Sequence, residues 1–258
     1  MKVALVTGAS SGIGKAIADQ LLKDGYSVAV TGRSMEKLLA AYANAEKGRV
    51  HCIASDATDY DSYTRVVDET VTVFGRLDAL VNNVGGGALG KTLQSTTVAD
   101  WNAAFQLNTA SVFFTTQAAL PHLKESRGTV VNFSSILASR PVAGLGPYSA
   151  AKAAVEMLTK TAALELAPYG VRVMCVSPAT IQTGFHVAAG MTEEGAAAYY
   201  DSSKTTHPVG RIGQPEDISG LVAFLLDDTK AGFMTGSVIH VDGGRLLTSA
   251  TATGLQQK

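Results

Sequence analysis

The chain of 258 residues is 46% hydrophobic and 17% charged, which excludes a disordered or polar linker protein and leaves ample material for one large core. Lys and Arg number 21 against 22 Asp and Glu, and no basic run stands out, so a nucleic-acid partner lacks its electrostatic basis. No apolar run reaches the roughly 18 residues of a membrane helix, and Cys52 and Cys175 form neither a CxxC nor a disulfide pattern, so a cytoplasmic protein in a reducing compartment is expected.

Apolar runs of strand length alternate with longer segments of helical spacing. The first run, 3–7, opens almost at Met1, so no signal peptide is expected. It leads into Thr7-Gly8-Ala9-Ser10-Ser11-Gly12-Ile13-Gly14, followed by Ile17, Leu21 and Leu22 at helical spacing. Glycines at such a turn let backbone amides approach a diphosphate, and the helix N-terminus adds unpaired N–H groups. A mere connecting turn is the competing reading. A phosphate-loop NTPase is excluded, because five residues separate Gly8 from Gly14 and Ala16 stands where Ser or Thr would hold magnesium.

Further runs at 27–31, 50–54, 77–81, 129–133, 171–176 and 238–241 are rich in Val, Ile and Leu with little polar alternation, as in strands covered on both faces. Helices are expected over 104–123, 149–166 and 215–226, the last opened by Pro215 with Glu216 and Asp217 in its first turn. This alternation predicts a doubly wound, Rossmann-type α/β fold: a mostly parallel seven-stranded sheet with helices on both faces, in a single domain over 1–245. Residues 184–213 are too long for an ordinary connection and are expected to form a substrate lid, with Gly184, Gly190, Gly195 and Gly210 as hinges. The tail 246–258 is small and polar, with partial disorder expected.

The spacing Gly8-x-x-x-Gly12-x-Gly14 after Thr7 resembles the short-chain dehydrogenase/reductase family. Other parts of that family's pattern follow in order: Asp56, Asn82-Asn83-Val84-Gly85, Asn108, Ser135, Tyr148-x-x-x-Lys152, Pro178 with Thr183, and Val241-Asp242-Gly243-Gly244. Val84 replaces the family's usual Ala and thickens the wall near the cofactor. Ala179 replaces a common Gly after Pro178 and is expected to restrict a turn there. The resemblance implies a cofactor cradle of Gly8, Ser10, Ser11, Gly12, Ile13, Gly14, Arg33, Ser34, Asp56, Ala57, Asn83, Gly85, Pro178, Ile181 and Thr183, with Tyr148 and Lys152. It implies Asn108, Ser135, Tyr148 and Lys152 as the catalytic set.

Tyr148 and Lys152 lie four apart, on one helix face. In isolation they would read as a phenol stacked on a lysine stem, but Ser135 precedes Tyr148 at the family's separation, and the resemblance makes it, not Ser134, the catalytic serine. Hydride reduction of a carbonyl needs a proton for the developing alkoxide. A phenol titrates near 10, and a neighbouring ammonium is expected to lower that value. In the family's pattern Ser135 bonds the substrate oxygen and Asn108 holds a water joining Lys152 to solvent, a helix-kinking amide being the competing reading. Thr183 is placed to bond the nicotinamide carboxamide. Asp56 fits either an adenine contact or a helix cap.

Gly32 stands where NAD-preferring relatives carry Asp, and Arg33 can pair with a 2′-phosphate, so NADP(H) is expected. His51, His122, His207 and His240 lack metal-ligand spacing, and no metal is expected. The expectation is a carbonyl reductase or alcohol dehydrogenase acting on a small-molecule carbonyl or alcohol. Its rival is a non-catalytic dinucleotide-sensing protein on the same fold. Small residues along 104–123 and 150–166 suggest a homotetramer. Arg140, Leu145, Phe185, His186, Met191, Tyr199 and Tyr200 are expected around the substrate.

Overall fold

Side-chain alternation along wholly apolar strands decides the architecture. In β1 (Val3–Val6), Ala4 and Val6 belong to one core layer and Leu5 to the other, and all three are fully buried. The same split runs through β2 (Ser27–Gly32), β4 (Ala79–Asn82), β5 (Thr129–Phe133) and β6 (Arg172–Pro178), so helices must cover both faces. The computed structural model describes residues 1–87 and 90–248. With β3 (Val50–Ala54) and β7 (Val238–Val241), its strands form one wholly parallel sheet in the order β3-β2-β1-β4-β5-β6-β7.

One face packs α1 (Gly12–Lys23), α2 (Met35–Ala41) and α9 (Pro215–Leu226) through Ile17, Leu21, Leu38, Ile218, Val222 and Leu225. The other packs α3 (Tyr60–Phe74), α5 (Ser111–Ser126) and α6 (Gly146–Leu166) through Val66, Val67, Leu123, Ala163 and Leu166. Each fully buried Leu, Ile or Val contributes roughly 1.5–3 kcal/mol. Between β4 and β5 the interior turns polar. Asn82 Nδ2 donates to Asn132 Oδ1 (2.9 Å) and Thr116 Oγ1 (3.0 Å), and Asn132 Nδ2 donates to Thr159 Oγ1 (3.0 Å). These buried amides are satisfied and tie both strands to α5 and α6. Strand order reverses between β1 and β4, and such a switch point opens a crevice beyond the strands' C-terminal ends.

Two elements differ from expectation. The helix expected over 104–123 is α4 (Val98–Phe105) and α5 joined by a π-helical turn, Gln106–Ala110. Segment 184–213 carries its own helices, α7 (Phe185–Ala188) and α8 (Glu193–Ser203). Its base is clipped: Gln182 N donates to Gly213 O and Gly213 N to Thr180 O, both at 2.9 Å. Gly195 lies inside α8 with its N–H held by Thr192 Oγ1 (3.0 Å) and cannot serve as a hinge, whereas Gly190 and Gly210 adopt φ of +103° and +76°. Residues 249–258 of the expected tail lie outside the described residues. Among the described residues no helix is long and apolar enough to cross a membrane.

Candidate active site

The glycine loop is shaped by contacts that exclude side chains. A Cβ on Gly14 would overlap the Gly8 carbonyl oxygen and lie 2.5 Å from Asn83 Nδ2, and one on Gly8 would lie 2.9 Å from Val84 Cγ2. The Asn83 amide braces the loop from β4, donating to Thr7 O (2.9 Å) and Gly8 O (3.0 Å). Asn83 therefore acts on the cradle through the loop backbone. Thr31 supports it from β2, its hydroxyl accepting Gly8 N and its carbonyl Ala9 N. Ile13 packs on the core, and Ser10 lies beside Gly32.

α1 opens without a side-chain cap at Ser11 and without an acid in its first turn, whereas Ser34, Asp59 and Thr97 cap α2, α3 and α4. The uncommitted N–H groups of α1, at the switch point and at the positive end of the helix dipole, suit a diphosphate. A dinucleotide fits these residues. Thr183 crosses above the loop: a Cβ on Gly12 would lie 3.2 Å from Thr183 Cγ2.

Lys152 and Tyr148 project from the first turns of α6. Lys152 is 2% exposed and its Nζ donates to Phe133 O (2.8 Å) at the end of β5. Gly85 covers that ammonium so closely that a Cβ there would lie 2.8 Å from Nζ and 3.0 Å from Asn108 Oδ1. Asn108 sits in the π-helical turn, fully buried. Its Oδ1 accepts Gly86 N (3.0 Å), and its Nδ2 donates to Gly86 O (2.7 Å) and Ala104 O (2.8 Å). The side-chain amide is thus committed, from within the π-helical turn, to holding the 85–87 loop.

The two serines separate cleanly. Ser134 Oγ is buried against α6, contacting Lys152 O (3.0 Å) and Glu156 Oε1 (2.9 Å). Ser135 caps a 3-10 turn, Ile136–Ala138, by accepting Leu137 N (3.3 Å), and its hydroxyl interacts with Tyr148. Burial pushes the Tyr148 phenol up to about 12, Ser135 partly offsetting it, and burial pushes Lys152 down to about 8. Desolvation therefore sets the direction of both shifts, and Nζ stands 5.9 Å from the phenol ring centroid, anchored to the Phe133 carbonyl.

Around the crevice, Asp56 accepts the Thr58 N–H (2.9 Å) and hydroxyl (2.8 Å), which hold its carboxyl below the usual range, with Arg33 adding a smaller pull. The helix cap is Asp59, not Asp56. Ala57 O accepts the Tyr63 hydroxyl, and Ser34 Oγ accepts Lys37 N. Arg33 is exposed and makes no ion pair among the described residues. Pro178 ends β6, and Ala179 follows without a positive φ, so the turn accepts its side chain without strain. Ile181 is buried beside Gly213. Sequence reasoning did not reach the Thr31 brace, the Gly86 clasp or the Ser134–Glu156 contact. Each is a pairing between distant segments that no local spacing encodes.

A glycine-built crevice at a switch point, with a Ser, Tyr and Lys converging beside it, defines a dinucleotide-dependent α/β oxidoreductase. The family model described as enoyl-(acyl carrier protein) reductase matches residues 8–245. The chain is 39% identical over 247 residues to the 3-oxoacyl-[acyl-carrier-protein] reductase FabG of Staphylococcus aureus, covering 94% of this chain and 97% of that one. It is 36% identical over 250 residues to dehydrogenase/reductase SDR family member 4 of Homo sapiens, covering 94% and 87%. Among solved structures, a short-chain dehydrogenase/reductase of Caenorhabditis elegans with cofactor superposes with a TM-score of 0.94 at 32% identity, covering 98% of this chain and 97% of that one. ElxO with NADP bound gives 0.86 at 31% identity, covering 96% and 99%. The chain belongs to the short-chain dehydrogenase/reductase family.

Proposed function

We propose that this protein is an NADP(H)-dependent carbonyl reductase or alcohol dehydrogenase in which Tyr148 is the general acid/base. The observation that carries the reading is the division of labour at the end of β5: Ser134 is bound into α6, whereas Ser135 faces Tyr148. When bound, the nicotinamide supplies or accepts the hydride. Ser135 donates to the substrate oxygen as charge develops on it, and Tyr148 delivers the proton. A buried phenol pushed up to about 12 stays protonated at neutral pH, the form required for carbonyl reduction. Lys152, fixed between Phe133 O and Gly85, holds positive charge beneath the site.

NADP(H) is favoured because Gly32 offers no carboxylate and Arg33 is exposed without an ion-pair partner among the described residues. The substrate is a small-molecule ketone or secondary alcohol. Residues 184–213 act as its lid, pinned at the Thr180–Gly213 clip, and hydrogen exchange there should slow when cofactor and substrate bind. Phe113, Met157 and Leu164 are exposed on α5 and α6 beside a groove of about 190 Å³ lined by Val112, Leu120, Leu158 and Ala162, which supports a homotetramer. A monomer in light scattering would remove that reading. Free Cys52 and Cys175 accord with a cytoplasmic location.

The deciding experiment is Tyr148→Phe. Turnover should fall about 10²- to 10⁴-fold with cofactor affinity nearly unchanged. Retention of more than about a tenth of wild-type activity refutes the mechanism.

A further inference from the structure

β5, β6 and β7 are adjacent and parallel, so the segments leaving them share one rim of the crevice. Ser135 follows β5, and beyond its 3-10 turn comes Arg140, whose N–H is held by Ile136 O (2.9 Å). Arg245 follows β7 and opens the 3-10 turn Arg245–Leu247. Strands lie about 4.8 Å apart, so β5 and β7, two spacings apart, end about 10 Å from one another, and the charge of Arg140 reaches Arg245. Both arginines are half-buried. Burial and then the charge of Arg140 hold Arg245 below the usual range for a guanidinium, with Tyr199 acting in the opposite sense.

Neither arginine forms an ion pair among the described residues, unlike Arg49, Arg65, Arg76, Arg172 and Arg211. The one acid beside them in sequence, Asp242, is committed to its own turn: Oδ1 accepts Gly244 N (2.9 Å) and Oδ2 accepts Leu246 N (2.8 Å). Ala88, Leu89 and residues 249–258 include no Asp or Glu, so they add no side-chain carboxylate. Two neighbouring, half-buried cations without a counter-charge are unfavourable alone and favourable with an anion between them. A row of rings runs from the reacting end to Tyr199, the ring whose hydroxyl acts on Arg245: Tyr148 to Phe185 at 6.4 Å, Phe185 to His186 at 5.4 Å and His186 to Tyr199 at 4.5 Å. Burial holds His186 below its usual range, so at neutral pH the row adds no charge and the arginines supply the positive field.

We propose that the substrate carries an oxyanion, a carboxylate or a phosphate, at the end remote from its reacting carbonyl, and that Arg140 and Arg245 together bind it. The assignment rests on the reductase reading only for which end reacts. Guanidinium forks match both anions bidentately, and the ring row between rim and Tyr148 accommodates an apolar or planar linker.

The test uses the full chain with NADPH and three matched sets: keto acids of increasing length, their methyl esters, and keto phosphates. The acid should exceed its ester about ten- to hundredfold in kcat/KM, mainly through KM, with an optimum at one length. That ratio should shrink as salt rises from about 0.05 to 0.5 M. It should approach one in Arg140→Gln/Arg245→Gln, the single variants serving if the double does not fold. The acid and phosphate arms decide which anion is preferred. An acid-to-ester ratio near one in the wild type, or an acid preference that survives the folded variants, overturns the proposal and leaves the reductase reading standing. If no ketone consumes NADPH or NADH, the reductase reading fails, and calorimetric titration with glutarate and with glycerol phosphate decides the arginine pair. Binding lost in the variants sustains it, and no binding to the wild type overturns it.

Discussion

Adding one methyl group to either of two glycines should produce opposite failures. In Gly14→Ala the methyl meets backbone and a braced amide: it overlaps Gly8 O, comes within 2.9 Å of Gly8 C and lies 2.5 Å from Asn83 Nδ2. None of these is the free end of a flexible chain. Relief requires the loop to part from Asn83, giving up two hydrogen bonds of about 1 kcal/mol each, in addition to overpacking of about 1–3 kcal/mol. Better helix propensity returns about 1 kcal/mol, so a net loss of about 2–4 kcal/mol is expected. In Gly85→Ala the methyl meets Lys152 Nζ at 2.8 Å and Asn108 Oδ1 at 3.0 Å. Nζ ends a flexible side chain, so stability should change by no more than about 1 kcal/mol. To make room, Nζ shifts within its seat while keeping its hydrogen bond to Phe133 O, which misplaces the ammonium beneath Tyr148, and kcat/KM should fall about ten- to hundredfold. Urea denaturation and initial-rate assays on both variants provide the test. A stable Gly14→Ala, or a Gly85→Ala that unfolds early while its remaining folded fraction is fully active, refutes the assignment of loop bracing to one glycine and ammonium seating to the other.

Two further outcomes are expected. A Cβ at Gly32 would meet Leu38 and Ser10 at 3.4 Å, an ordinary contact, so Gly32→Asp should fold normally and lower the NADPH-to-NADH preference at least about tenfold by placing a carboxylate beside the 2′-phosphate position. An unchanged preference at unchanged melting temperature counts against the NADP(H) reading. Lys152, pushed down to about 8 from 10.5, binds fewer protons in the folded than in the unfolded chain between those values, so its contribution to stability rises with pH across that window by at most about 1.4 kcal/mol per unit. The Tyr148 contribution, with the phenol pushed up from 10.0 to about 12, is present below pH 10 and is lost as pH rises toward 12. The stability difference between wild type and Lys152→Met should therefore grow from about pH 7.5 to 9.5, and a flat difference contradicts a buried ammonium.

The sheet was legible in the sequence because its strands are apolar runs: those at 50–54, 129–133 and 238–241 coincide with β3, β5 and β7, although of these only β5 is buried throughout. The run expected at 77–81 starts late, as Asp78 instead turns its carboxylate to Val3 N and Arg76. Ser135, Tyr148 and Lys152 were singled out by the family resemblance, the helical spacing adding only that the last two share a face. What local pattern could not reveal was burial and cross-chain pairing. The expected lowering of the phenol pKa assumed that the ammonium would dominate, yet burial sets the direction for the phenol and for the ammonium alike. Asn108 reads either as a helix-kinking amide or as a site residue, and its clasp on Gly86, 22 residues away, has no local pattern that could reveal it. Asp56 and Asp59 are equally plausible caps by residue type, and the register of α3 selects the second.

The clip at the base of 184–213 also separates two kinds of change in this chain. Thr180 and Gly213 meet backbone to backbone, so the sheet experiences the stretch between them as a closed circuit whose ends are already joined. Lengthening such a stretch costs little, about 0.6 kcal/mol for each doubling of its length. The glycine loop, β5 and the start of α6 make their own contacts beneath it and do not depend on its contents for their bracing. The stretch can therefore be resized or exchanged while the glycine loop, β5 and the start of α6 keep their bracing.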